Sequence, residues 1–341
     1  MVQRVIFHIG RRKSGTSTLQ EWLFANKSYL LEEHAILYPD AGLSDSYPAH
    51  HPLASWLAPR SFRYPSMENL VKDSLSGVPE DGTILFSSEF FARVVDLTTI
   101  REFVGRIGAK HVQIVCYVRE HLDFAMSAWR EEIHSPRWRL DIPFSDFFAR
   151  CLVRDQTDSG ISEVLDRWAS LGDLSLGWYE RSALKNGDVV EDFCGRIGIA
   201  ADSYSMDDMN PSIGGNLLVF KLMRNKFEAE KEDSGFHPIY TEHDHAEYIS
   251  YIELAKGQEY FRTPFFVSEA AATRFRNSSE YNEVLFDRLG PVRLRSWESE
   301  TPLPDLRNLD RDMDMIGNAL KYTPCTRLIE MCRESAPFFE L

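Results

Sequence analysis

The chain has 341 residues with 38 Lys+Arg against 52 Asp+Glu, a formal charge of −14. Hydrophobic residues make up 43% and aromatics 12%, which excludes a disordered chain and leaves material for one large domain or two modest ones. The acidic balance excludes a general nucleic-acid binder, which needs a basic face, but not a local anion pocket.

The opening MVQRVIFHIG is too poor in apolar residues for a signal sequence, and no run long enough to cross a membrane follows it. Cys116, Cys151, Cys194, Cys325 and Cys332 are scattered, with no CxxC pair. They read as reduced thiols, neither a disulfide framework nor a zinc site. The expectation is a soluble, cytoplasmic protein with no transmembrane segment.

In chain order, Val5–Ile9 is a compact buried-strand signal followed by Gly10 and a polar loop. From Thr18 onward Leu19, Trp22, Leu23, Ala25 and Leu30 recur at helical spacing. Further strands are predicted at Thr83–Ser87, after the turn Pro79–Gly82, at Val112–Val118, and at Leu174–Tyr179 after Gly172-Asp173. Helical patterning fills 98–107, 121–134, 144–151 and 161–170. Apolar strands alternating with helices predict an α/β fold, a parallel sheet flanked by helices that binds ligands at the carboxyl ends of its strands.

Beyond residue 200 the pattern predicts a loop at 207–211, helices at 212–229, 268–288 and 313–334, and a charged segment at 230–250 with His237, His243 and His245. That acidic segment reads as a solvated or mobile face, or a lid. The expected organisation is an α/β domain over 1–290, its part from 200 mainly helical, and a C-terminal helical extension over 291–341.

The strongest chemical signal is Gly10-Arg-Arg-Lys13-Ser14-Gly15-Thr16-Ser17-Thr18. A glycine-bracketed loop between strand and helix aims backbone N–H groups at one point, where Lys13 adds charge and the hydroxyls add donors. The plain alternative is an ordinary capped helix start. The spacing GxxKxGTS differs from the triphosphatase GxxxxGK[ST], in which Lys follows the second Gly. No strand-end Asp offers a Mg²⁺ ligand, since Val118 leads into Arg119 and Ser87 into Ser88-Glu89. No metal is therefore expected.

The stretch Phe7-His-Ile-Gly-Arg-Arg-Lys-Ser-Gly-Thr-Ser-Thr-Leu-Gln20 closely resembles the 5′-phosphosulfate loop of PAPS-dependent sulfotransferases, the bacterial ones in particular. That family's second signature, a strand-end Arg and a Ser eight residues on, is matched by Arg119 and Ser127. Weaker likenesses at Tyr179-Glu180-Arg181, Asp192-Phe193 and Asn210-Pro-Ser212 extend the resemblance to about residue 290. It implies a P-loop-type sheet with additional C-terminal helices. The donor is then PAPS (3′-phosphoadenylyl sulfate), leaving as adenosine 3′,5′-bisphosphate. Arg12, Lys13, Ser14, Gly15, Thr16, Ser17 and Thr18 would hold the 5′-phosphate, and Arg119 with Ser127 the 3′-phosphate.

Sulfuryl transfer needs charge stabilisation on the leaving phosphate, for which Lys13 is placed, and a base for the acceptor. Glu89, after a buried strand and flanked by aromatics, is one candidate base, and equally reads as a first-turn carboxylate. His50 and His51 are the rivals, though adjacent His before Pro52 also reads as loop surface. His8, inside the first strand, reads as a packed or loop-supporting residue. Trp56, Phe62, Tyr64, Phe90, Phe91, Trp129 and Trp138 suit sugar or aryl stacking but mostly read as core. Arg130, Arg137 and Arg139 would suit an anionic acceptor.

The expected function is a PAPS-dependent sulfotransferase acting on a hydroxyl or amine of a carbohydrate, glycolipid or other small molecule. The alternatives are an ATP-using P-loop kinase or nucleotidase, and a catalytically inactive binding protein of sulfotransferase type. Residues 4–13 carry Arg4, Arg11, Arg12 and Lys13 with no acid, a positive island on a negative chain.

Overall fold

The computed structural model describes residues 2–45, 47–58, 69, 73, 77–157, 160–201, 213–231, 242–262, 268–290, 292 and 303–339. Its sheet contains β1 (Arg4–His8), β2 (Ile36–Leu37), β3 (Thr83–Ser87), β4 (His111–Val118) and β5 (Asp173–Trp178). All are parallel, in the order β2-β3-β1-β4-β5. The helices are α1 (Thr16–Ala25), α2 (Lys27–His34), α3 (His51–Leu57), α4 (Thr98–Ile107), α5 (His121–His134), α6 (Phe144–Thr157) and α7 (Ile161–Ala169). They continue as α8 (Val189–Ile197), α9 (Gly215–Lys231), α10 (Glu242–Gly257), α11 (Glu269–Asn277), α12 (Glu280–Leu289), α13 (Leu309–Leu320) and α14 (Thr326–Arg333). This is a P-loop-like α/β fold.

The chain forms two compact units, each discontinuous in sequence. A sheet unit takes Met1–Arg119, Asp155–Met206 and Glu283–Arg293, and a helical unit takes Glu120–Arg154, Asp207–Asn282 and Leu294–Leu341. Arg4 pairs with Thr83 on one side and His111 on the other, so β1 is central, its residues from Val5 onward buried. Successive strand residues face opposite sides. Ile6, Leu85, Val115 and Tyr117 pack with Leu19, Trp22 and Leu23 of α1 and with Val190, Phe193 and Ile197 of α8. On the other face Phe7 lies 5.8 Å from Phe86, 5.3 Å from Phe91 and 5.6 Å from Trp168 of α7. Each of these fully buried side chains contributes about 1.5–3 kcal/mol.

The helical unit's core joins Leu122, Trp129 and Ile133 of α5 to Phe144, Phe148, Leu217, Phe220, Ile316, Leu328 and Phe339. The sequence expectation set 291–341 apart as an extension; the structure packs α13 and α14 into the same core as α5 and α9, because their apolar stripes supply its far wall. Of the segment 230–250, read as a solvated or mobile face or a lid, the part from Glu242 is helix, with His245, Ala246 and Ile249 exposed and Tyr251, Ile252 and Ala255 buried just beyond it. Its acidic residues are drawn inward, Asp244 to Arg139 and Glu247 to Lys221 and Arg224. Of the flagged residues, Phe62, Tyr64, Asn210, Pro211, Ser212 and His237, and the side chain of His243, lie outside the described residues. All five cysteines are free, four of them buried. Among the described residues no helix is long and apolar enough to cross a membrane.

Candidate active site

In this strand order the chain leaves β1 toward the β3 side and leaves β4 toward β5. The carboxyl ends of β1 and β4 therefore flank a topological switch point, where open α/β sheets bind ligands. The loop from β1 to α1 occupies one flank. Ile9 N–H donates to the Val115 carbonyl (3.0 Å) and Arg11 N–H to that of Tyr117 (3.4 Å), so the loop first follows β4. The buried Ser14 hydroxyl then donates to the Arg11 carbonyl and tightens the turn.

Two residues take left-handed backbone there, Lys13 at φ 66° and Gly15 at φ 75°. For Lys13 that geometry costs about 1–2 kcal/mol, the sort of strain kept at functional sites. Gly15 is required twice over, since a Cβ there would also lie 2.4 Å from Tyr179 Cε2. No side chain caps α1, and no acidic residue sits in its first turn. The hydroxyls of Ser14, Thr16, Ser17 and Thr18 are thus not serving as caps, and the first-turn N–H groups lie at the positive end of the helix dipole, a place that suits an anion.

Arg119 stands on the other flank. Its Nη1 donates to the Lys13 carbonyl at 3.3 Å, and its guanidinium lies 5.8 Å from the Tyr179 ring centre. Tyr179 N–H in turn bonds the Val118 carbonyl at 2.7 Å. The structure therefore gathers the loop, Arg119 and Tyr179, with Arg11 and Arg12 half-buried in the same loop. Ser127 is half-buried on α5 and belongs to the helical unit, whereas Arg119 belongs to the sheet unit. Arg130, Arg137 and Arg139, read as suiting an anionic acceptor, have the following partners. Arg130 donates to the Ile213 and Arg262 carbonyls, Arg137 lies over Trp138, and Arg139 pairs with Asp244. Of the aromatics, Trp56, Phe91 and Trp129 are core, while Trp138 is exposed.

The proton-transfer side is built after β3. Ser88 Oγ accepts from Phe90 N–H (3.1 Å) and caps the 3₁₀ turn Glu89–Arg93, and Glu89 stands in its first turn, the place its structural reading expected. Gln20 Nε2, on α1, donates to Glu89 Oε2 at 3.3 Å. His51 Nε2 stands 3.6 Å from Glu89 Oε1. The His51 ring stacks on Phe90 at 4.2 Å, and its Nδ1 is 2.8 Å from Ser88 Oγ. Burial lowers the His51 pKa, opposed by the charge of Glu89 and reinforced by Arg93.

His50 is placed differently from its neighbour. It is fully buried, with Nε2–H donating to the Pro39 carbonyl (3.0 Å) and Nδ1 accepting from Ser87 N–H (3.1 Å). Both nitrogens are committed to backbone, and burial pushes its pKa down to about 3. In this arrangement His50 is a brace between loop and strand, and His51 is the histidine that stands beside Glu89. His8 supports the phosphate loop. It is buried, 2.7 Å from Ser87 Oγ, with its pKa at about 3, and a Cβ on Gly10 would lie 3.0 Å from its Nε2. Gln20 and Ser88 were not singled out from sequence as chemical residues. The available signal for Gln20 was a polar residue on the apolar stripe of α1.

Two clefts lie away from these residues. One of about 240 Å³ in the helical unit is lined by Arg139, Lys221, Arg224, Glu228, Asp244 and Glu247 among others. The other, at the amino ends of the strands, has Arg4 already bonded to Thr83, Gln113 and the Ile197 carbonyl. Among the described residues no group of three His, Cys, Asp or Glu side chains is gathered to hold a metal. Comparison with family models, with curated proteins and with solved structures finds no match.

Proposed function

We propose that this chain is a cytoplasmic sulfotransferase that moves a sulfuryl group from PAPS to a hydroxyl or amine of a carbohydrate, glycolipid or other small acceptor. The observation that carries the reading is the uncapped, left-handed Lys13–Gly15 loop at the switch point, joined to Arg119 and facing a sheet whose next strand end presents Glu89. The donor's chemistry fits these residues. An anion needs N–H groups and positive charge at a helix start, and Gly15 leaves the space a Cβ would fill.

The donor supplies the activated sulfuryl group, and its departure leaves adenosine 3′,5′-bisphosphate. The N–H groups from Gly15 to Thr18 hold the 5′-phosphate. The Lys13 ammonium offsets the charge that grows on its bridging oxygen. Arg119 adds a forked cation for the donor's second phosphate. Glu89 takes the acceptor's proton, held toward it by Gln20, which occupies one carboxylate oxygen.

Titration calorimetry with adenosine 3′,5′-bisphosphate tests the reading. The wild type binds, and Lys13→Ala or Arg119→Ala each weakens binding about 10–100-fold, the worth of a charge-assisted hydrogen bond. No binding, or full affinity in both variants, overturns it. Mg²⁺-dependent ATP binding in its place points to the kinase chemistry.

A further inference from the structure

We infer that His51 is a positioning residue that acts through Glu89, the two forming one coupled acid–base pair braced by Ser88, Gln20 and a column of aromatic rings. The inference rests on the proposed assignment of Glu89 as the base.

The hydrogen-bond directions follow from simple donor counting. Phe90 N–H donates to Ser88 Oγ at 3.1 Å, which leaves the Ser88 proton to be donated elsewhere. The ring nitrogen at hand is His51 Nδ1, 2.8 Å away. With Nδ1 accepting, the neutral ring carries its proton on Nε2, the nitrogen 3.6 Å from Glu89 Oε1. That separation is longer than a hydrogen bond but well inside Coulomb range. The other carboxylate oxygen meets Gln20. A carboxylate only accepts, so the amide NH₂ must face Glu89.

The ring has little freedom to leave this alignment. Phe90 stacks on it at 4.2 Å and 16°, and Tyr47 at 5.9 Å and 14°. His51 also begins α3 and is followed by Pro52, which fixes the backbone it hangs from. Both side chains remain partly open, 19% for His51 and 18% for Glu89, so a substrate group can reach the pair.

The charges around the ring set its state. Glu89 favours the imidazolium, while Arg93 and burial oppose it. Arg93 sits over the far side of this column, 4.6 Å from the Phe90 ring centre. The adjoining His50 is buried and neutral, and Tyr47 is a neutral ring near pH 7. Burial and Arg93 therefore favour the neutral ring, whose Nε2 faces the Glu89 carboxylate. As the acceptor oxygen bonds sulfur and the sulfur–phosphate oxygen bond breaks, the acceptor's proton passes to Glu89. A protonated His51 would hold the Glu89 carboxylate in its charged form, so acidification switches the pair off through the ring.

Ring-nitrogen NMR on the full chain reads the coupling without any turnover, with the His51 signal assigned by its loss in His51→Gln. In Glu89→Gln the His51 titration moves to lower pH, because the carboxylate that favoured its cation is gone. An unmoved titration overturns the pair. In turnover assays His51→Gln keeps its affinity for adenosine 3′,5′-bisphosphate, loses about tenfold in kcat, and shows a displaced acid limb in its pH profile. A lowered kcat with an unmoved acid limb also overturns it, leaving His51 a packing residue. A wild type that moves no sulfuryl group sinks the proposed function, while the NMR result still decides whether the pair is coupled.

Discussion

Two regions of the molecule hold concentrated charge and use it in opposite ways. In the helical unit's cleft each cation faces a carboxylate. Arg139 meets Asp244 at 2.6 Å, Arg224 meets Glu228 at 2.9 Å and Glu247 at 3.0 Å, and Lys221 lies 3.7 Å from Glu247. Lys221, Arg224 and Glu228 sit on α9, Asp244 and Glu247 on α10, and Arg139 on the turn after α5 at φ 41°; paired in this way, buried charge is tolerated. At the loop end of the sheet unit, Arg11, Arg12 and Lys13 come from a segment that brings no acidic residue of its own. Lys13 stands on left-handed backbone beside an uncapped helix start. The cleft gathers cations together with carboxylates from several segments, whereas the loop gathers its cations within one short segment that carries no acid.

The comparison breaks first at Glu89. Glu89→Gln should cut kcat by about 10²–10⁴-fold, the usual worth of a general base, while calorimetry finds bisphosphate affinity unchanged. Lys221→Met in the helical cleft should leave both unchanged, and equal losses from the two substitutions would erase the distinction.

Gly15→Ala has the next largest effect. A Cβ forced against Tyr179 at φ 75° costs about 1–3 kcal/mol, which lowers bisphosphate affinity by roughly 10–100-fold. The double variant with Tyr179→Ala relieves the clash but not the backbone, so only part of the loss returns.

Acid stability separates the units further. His8 and His50, both in the sheet unit, have native pKa values of about 3 against 6.5 for the free side chain. The unfolded chain binds the extra protons first, so stability is lost as pH falls from 6.5 toward 3. Thermal melts of His50→Gln across that range should show a shallower loss than the wild type.

The smallest effect lies in the cleft. Burial lowers Lys221 from 10.5 to about 8. Between those values the unfolded chain again holds the extra proton, so this residue makes stability rise with pH through that window. Lys221→Met should remove that contribution, read as the difference between variant and wild-type melting curves.

Most of the sheet unit was legible from the residues because its strands are apolar throughout and bounded by turns. Val5–Ile9, Thr83–Ser87, Val112–Val118 and Leu174–Tyr179 fall on β1, β3, β4 and β5 within a residue or two. β2 was missed because Ile36 and Leu37 are too few to show a period, and only pairing with β3 makes them a strand. The loop was legible for a local reason, since glycines and Lys13 lie within a few residues of each other. The base was not. His50 and His51 are neighbours in sequence, and their different fates depend on Pro39, Ser87, Ser88 and Glu89, supplied by other segments.

The sequence by itself determined the parallel α/β sheet, the positive loop at the end of its first strand and the acid-poor segment that carries it, because each is set by periodicity or by adjacent residues. Only the tertiary structure decided that α13 and α14 join the core of α5 and α9, that Arg139 is neutralised by Asp244, and that His51 rather than His50 stands beside Glu89. Those outcomes are contacts between distant segments, and their energies do not exist until the chain has closed on itself.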